Sequence, residues 1–132
     1  MKRWSLDAVG REHLQIVEEP RPVPKSRQVL VKVAAVSLNF HDKLVIDNGL
    51  DYPGAGFTPG SDMAGTVVAL GDQARRFTVG ERVIATYVPD WIDGDTRDHA
   101  RGPDRRTLGG GHPGVFAEYL AMDEDWLVAA PA

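Results

Sequence analysis

The chain contains no cysteine. Disulfide bonds are excluded, and so is any cysteine-ligated zinc, catalytic or structural. Positive charge is not in excess. Fifteen Lys and Arg stand against nineteen Asp and Glu, a net charge of −4, so nothing offers the basic footprint that nucleic acid requires. No apolar run approaches the roughly 18 residues of a membrane-spanning helix. The opening MKRWSLDAVG is charged and lacks the apolar segment of a secretion leader. These absences together fit a cytoplasmic protein.

What is present is turn chemistry around short apolar stretches. Fourteen Gly and nine Pro in 132 residues, with 42% hydrophobic residues, favour short strands around one core. Residues 3–9 and 14–18 read as two strands turning at Gly10. Pro20, Pro22 and Pro24 alternate and so make an extended connector. QVLVKVAAVSL, residues 28–38, is the clearest strand, and its apolar end argues for burial on both faces. In residues 39–49, NFHDKLVIDNG, the period becomes helical, with Asn39 placed to cap the start and Gly49 the end. Residues 63–71, 78–88 and 115–122 read as further strands. About seven strands with one or two helical turns make a mainly β domain, a barrel or sandwich.

GGGHPG, residues 109–114, matches the dinucleotide pattern G-x-G-x-x-G. That pattern carries meaning only between a strand and a helix. Here an Arg-rich loop precedes it, Pro113 interrupts it, and a strand-like stretch follows, so a loop is expected. The stretch 94–107 alternates acids and bases. It reads as a solvated lid, whose Arg97, Arg101, Arg105 and Arg106 could alternatively meet a cofactor phosphate.

The string GSDMAGTVVALGDQARRFTVGERV resembles the medium-chain dehydrogenase/reductase superfamily. Gly60, Asp62, Gly65, Val67 and Gly71, then Phe77, Gly80, Glu81 and Val83, match its pattern G-H-E-x-x-G-x-V-x-x-x-G followed by F-x-x-G-D-x-V. VSLNFHD, and the block WIDG…LGGGHPGVFAEYL…LVAAP, are similar to its zinc-independent quinone oxidoreductase branch. The resemblance spans nearly all of residues 1–132. It implies a GroES-like fold, a partly open, strongly twisted β-barrel with one or two short helices. It also implies hydride transfer from NADPH to a quinone, enone or similar carbonyl compound. Where the zinc branch has Cys and His, this chain has Asn39 and Ser61, neither of which competes with water for zinc. No metal is expected, and Asp62 is read as a structural acceptor. A cluster of His41, Asp62 and His112 fits no standard ligand spacing.

By the same resemblance, Asn39 and His41 are the expected catalytic residues. The Asn39 amide could donate to the acceptor or the nicotinamide edge, besides capping the helix. His41 falls where the zinc branch has its proton-relay hydroxyl, although a hydrogen-bonded surface histidine is the plainer alternative. Asn39, Phe40 and Asp42 are the expected cofactor contacts, with a structural hydrogen-bonding role open for Asp42. Tyr52, Trp91 and His112 are expected on the substrate side. For Tyr52 a half-buried loop aromatic is the alternative, and for Trp91 a core or lid anchor. The family's Rossmann domain has no counterpart in this sequence, so the chain is expected to be a fragment of a longer enzyme, inactive alone. Its uncovered domain face would favour homo-oligomers. Two other readings stay open: a stand-alone GroES-like binding or oligomerisation module without catalysis, and a metal hydrolase using the histidines.

Overall fold

The computed structural model describes residues 1–95 and 105–131. Arg97 and Arg101 of the expected lid lie outside the described residues. The elements run β1 (Lys2–Leu6), a 3₁₀ turn (Arg11–His13), β2 (Leu14–Glu18), β3 (Gln28–Ser37), α1 (Phe40–Asn48), β4 (Asp62–Leu70), β5 (Arg82–Ala85), β6 (Thr107–Leu108), β7 (Gly111–His112), β8 (Tyr119–Asp123), a second 3₁₀ turn (Glu124–Trp126) and β9 (Leu127–Ala129). The principal sheet has five strands in the order β8-β3-β4-β5-β9. β1 pairs with β2, and β6 with β7. The pairs in the principal sheet are all antiparallel. The order does not close on itself, so the fold is mainly β and open, with one α-helix among the described residues.

Alternation along the strands builds the core. On β4, Met63, Gly65 and Val67 turn inward while their neighbours stay partly exposed, as the two-residue period of a strand requires. They meet Val29 and Val31 of β3, Val83 of β5, Leu127 of β9, and Phe77, Val115 and Phe116 from connecting segments. Gly65 cannot be larger, because a Cβ there would lie 2.5 Å from the Lys32 carbonyl oxygen on the neighbouring strand.

The end of β3 corrects the expectation of burial on both faces. Val29, Leu30 and Val31 are buried, but 34–37 are exposed. The cause is topological: β8 pairs with β3 only over Gln28–Lys32. Beyond that point β3 keeps β4 on one side and, among the described residues, has no strand on the other. Leu38, 80% exposed, and Phe40, 72% exposed, continue the uncovered apolar surface into α1. β8 also starts later than its apolar pattern suggests. Residues 115–118 are tied elsewhere, with Trp4 N–H donating to the Phe116 carbonyl at 2.9 Å and Val115 N–H to the Gly60 carbonyl at 3.1 Å.

The second 3₁₀ turn contains an acid that sequence reasoning passed over. Glu124, 2% exposed, accepts the backbone N–H groups of Arg75 at 2.7 Å and Arg76 at 2.8 Å, and the Arg27 guanidinium at 3.1 Å. The Arg76 and Arg75 amides, with Arg27, hold its carboxyl below the usual Glu range against the opposing effect of burial.

Candidate functional site

The turn from β3 into α1 faces the entry of β4. Asn39 has the extended backbone of an N-cap residue and Gly49 the left-handed conformation, φ 74°, that closes the helix. The Asp42 carboxylate reaches back to accept the Asn39 backbone N–H at 2.8 Å, the return arm of a capping box. The Asn39 side chain turns towards β4. Its Nδ2 donates to Ser61 Oγ at 3.0 Å and to Asp62 Oδ2 at 2.7 Å. The carboxylate partner fixes which amide atom is nitrogen, because a carboxylate only accepts. Ser61, fully buried, donates in turn to Asp42 Oδ1 at 3.4 Å. Burial pushes the Asp42 carboxyl above the usual Asp range, opposed by the Asn39 N–H, His41 and Ser61.

This network explains the small residues around Ser61. Gly114 packs backbone to backbone on the preceding segment, where a Cβ would lie 2.3 Å from the Pro59 carbonyl carbon. Gly114 N–H donates to the Thr58 carbonyl at 2.7 Å. The glycines of GGGHPG thus serve close packing, and no helix follows them.

His41, one residue from this network, is in the opposite condition. Both ring nitrogens are buried, and neither has a hydrogen-bond partner among the described residues. Its ring meets the Tyr87 ring edge-on, at 5.6 Å and 88°. Desolvation is the main cause that lowers its pKa from the ordinary His value. Arg105 adds to this, while Asp42 and Asp51 oppose it. The imidazole is therefore neutral at pH 7, with one N–H donor and one lone pair.

Tyr87 also walls an apolar pocket of about 450 Å³ with Thr86, Val88, Trp91 and Ile92. Trp91 is partly exposed there, its indole N–H donating to the Gly94 carbonyl at 3.2 Å. On the other side, Asp62 lines a groove of about 370 Å³ with Val36, Met63, Ile84 and Ala85. The end of β5 and the residues after it therefore bridge the Asn39 network and the Trp91 pocket.

Two other expected substrate-side residues are held elsewhere. The Tyr52 hydroxyl donates to the Leu6 carbonyl at 3.2 Å, and its ring packs edge-on against Phe57. His112 is buried, with Nε2 2.7 Å from Asp90 Oδ2 and its ring against Trp126. Phe40 is exposed at the start of α1, whereas Asp42 is buried with its oxygens facing Asn39 and Ser61. Tyr87 was missed. Forty-six positions separate it from His41, and no sequence periodicity joins a residue beyond a strand end to a helix start. Among the described residues, no group of three or more His, Asp or Glu is placed to hold a metal ion.

The fold is shared with known proteins. Residues 25–132 match the alcohol dehydrogenase GroES-like domain. The chain is 35% identical over 123 residues to a zinc-type alcohol dehydrogenase-like protein of Schizosaccharomyces pombe, covering 89% of this chain and 34% of that protein. It is 35% identical over 121 residues to a trans-enoyl reductase of Penicillium oxalicum, covering 88% and 28%. A crystal structure from Sinorhizobium meliloti 1021, of a protein assigned as an alcohol dehydrogenase, superposes with a TM-score of 0.90 at 44% identity, covering 98% of this chain and 38% of that one. Quinone oxidoreductases also match. The chain belongs to the alcohol dehydrogenase GroES-like domain family, the N-terminal domain of medium-chain dehydrogenases and reductases. It spans about a third or less of these curated relatives, 34% of one and 28% of the other.

Proposed function

We propose that this domain is the substrate side of an NADPH-dependent oxidoreductase that reduces a quinone, enone or similar conjugated carbonyl without a catalytic metal. The observation that carries this reading is His41: its two ring nitrogens are buried with no hydrogen-bond partner among the described residues, and its ring packs on Tyr87, which lines an apolar pocket. A buried polar group left unpaired costs stability, and such costs persist where a ligand repays them. The oxidoreductases among its relatives support the class.

The nicotinamide, when bound, supplies the hydride. The residues present fit such a partner on one count, the two free nitrogens of His41. They do not fit zinc. Asn39 and Ser61 stand where the zinc branch has its ligands, and their polar hydrogens are directed to Asp62, Ser61 and Asp42. Reduction of a conjugated carbonyl builds negative charge on its oxygen. The His41 N–H donates to that oxygen, and the second nitrogen can take a proton as the first gives one up. Asn39, whose amide nitrogen is held by Ser61 and Asp62, would stand at the nicotinamide side. Asp42 acts through Asn39 by fixing its backbone. Phe40 offers an exposed ring to the cofactor, and Trp91 flanks the flat acceptor.

The test is an assay of the native protein that carries this domain, purified from its source and supplied with NADPH or NADH in chelator-treated buffer. Oxidation of the nucleotide with quinones, enones or aldehydes is the expected result. Inertness of a folded native protein towards all three classes would overturn the proposal.

A further inference from the structure

Among the described residues, none hydrogen-bonds the His41 ring, so its packing neighbours set its direction. The surroundings show what does so. A Cβ added at Gly110 would lie 2.7 Å from Thr107 Oγ1, 2.8 Å from His41 Cε1 and 2.9 Å from His41 Nε2. The open face of Gly110 therefore lies towards the imidazole. Gly110 is not free to retreat. Its N–H donates to the Thr107 carbonyl at 3.0 Å, and its carbonyl accepts from Thr107 N–H at 2.7 Å and Thr107 Oγ1 at 3.2 Å. Thr107 is itself fully buried. The neighbouring Gly111 N–H donates to the Asp51 carbonyl at 3.2 Å. The second wall is Tyr87, whose ring stands at 88° to the imidazole and whose carbonyl accepts from Leu108 N–H at 3.1 Å. Both walls are therefore pinned by backbone hydrogen bonds to β6 or the turn after it.

We infer that Tyr87 and Gly110 are positioning residues that aim the His41 imidazole, Tyr87 by its ring edge and Gly110 by leaving room that any other side chain would take. Tyr87 also belongs to the pocket wall with Trp91, so it couples the direction of the imidazole to whatever fills that pocket. The inference rests on the preceding reading only for its catalytic consequence, since the geometry stands apart from any reaction. The charged groups that act on His41 are Asp42 on its own helix, Asp51 on the loop after it and Arg105 before β6. None belongs to Tyr87 or Gly110, so substitutions at those two positions leave the surrounding charges unchanged.

The experiment follows the His41 Cε1–H resonance of this chain by NMR through a pH titration, in the parent and in Tyr87→Phe, Tyr87→Leu and Gly110→Ala. The parent should titrate below the ordinary His value of about 6.5. Tyr87→Phe keeps the ring and should match the parent. Tyr87→Leu should shift the resonance and raise the midpoint towards the ordinary value as water reaches the ring. Gly110→Ala should shift the resonance by displacing the ring. Gly110 has no left-handed backbone, so this variant tests space rather than backbone strain, and it decides the matter if Tyr87→Leu does not fold. Unchanged resonance and midpoint in folded Tyr87→Leu and Gly110→Ala would overturn the inference. In the native reductase, the same two variants should lower kcat about tenfold with little change in KM. If the parent proves inactive, the functional reading fails, and the resonances still decide the positioning.

Discussion

The Glu124 side chain and the His41 ring nitrogens are both withdrawn from water, and the fold treats them in opposite ways. Glu124 receives two backbone amides and a guanidinium, and it pins the turn at Arg75 and Arg76 to β3's start and the β8–β9 junction. His41 receives nothing. The Asn39, Asp42, Ser61 and Asp62 network beside it resembles Glu124, its donors directed to partners within the fold. Satisfied buried groups hold a structure together, while an unsatisfied one weakens it and marks a place where something else must bind. On the proposed reading, the difference separates groups that hold the fold from the one that meets the substrate.

The comparison is broken most readily at Glu124. Glu124→Ala strands two backbone amides and should lower the unfolding free energy by about 2–4 kcal/mol, read from urea midpoints. Glu124→Gln, which keeps one acceptor oxygen, should cost less. A loss within experimental error for the Ala variant would remove Glu124 as the structural pole of the contrast.

Asn39→Ala comes next, at about 1–2 kcal/mol, because it removes two hydrogen bonds and leaves Asp62 without its donor. Stability equal to the parent would mean that the network is decoration rather than a lock.

Acid sharpens the contrast through its signs. Glu124 has a depressed folded pKa, so its contribution is complete above the ordinary Glu value and is lost as pH falls through the folded one. His41 is also depressed, so the unfolded chain takes its proton first, and stability falls as pH drops below about 6.5 towards the folded value. Asp42 is raised, so its unfavourable charge is relieved as pH falls through its folded value. Urea midpoints should therefore begin to decline in the mildly acidic range, and His41→Leu should abolish that first decline while sparing the later one from Glu124. A flat midpoint down to pH 5 would contradict the assignment.

Asp47 gives the smallest effect. Arg11 and Lys43 hold its carboxyl at about 2, yet all three groups are open to solvent and the pairing is screened. Asp47→Asn should leave the urea midpoint unchanged within error.

The sequence foreshadowed the parts of this picture that depend on local rules. The helix from Phe40 to Asn48 was legible in Asn39, Gly49 and the change of period, because caps act within one turn. The family was legible in the spaced glycines and in Asn39 and Ser61. The uncovered end of β3 was not, since apolar residues in a strand read alike whether or not another strand lies beside them. Glu124 was hidden for a related reason. In DEDW nothing distinguishes the buried acid from its exposed neighbours until Arg75 and Arg76 are brought to it from 49 and 48 residues away. The family resemblance puts Tyr52 and His112 on the substrate side. Only their contacts, to Leu6 and to Asp90, reveal that their polar atoms are held by the fold.

The central claim is that His41 serves function at the expense of stability, and His41→Leu tests it in one protein with two readings. Removing two buried, unpaired nitrogens should leave the urea midpoint of the native protein at neutral pH unchanged or higher. NADPH-dependent reduction of the acceptor should fall at least about 100-fold. A destabilised variant that still turns over at the parental rate would contradict the account.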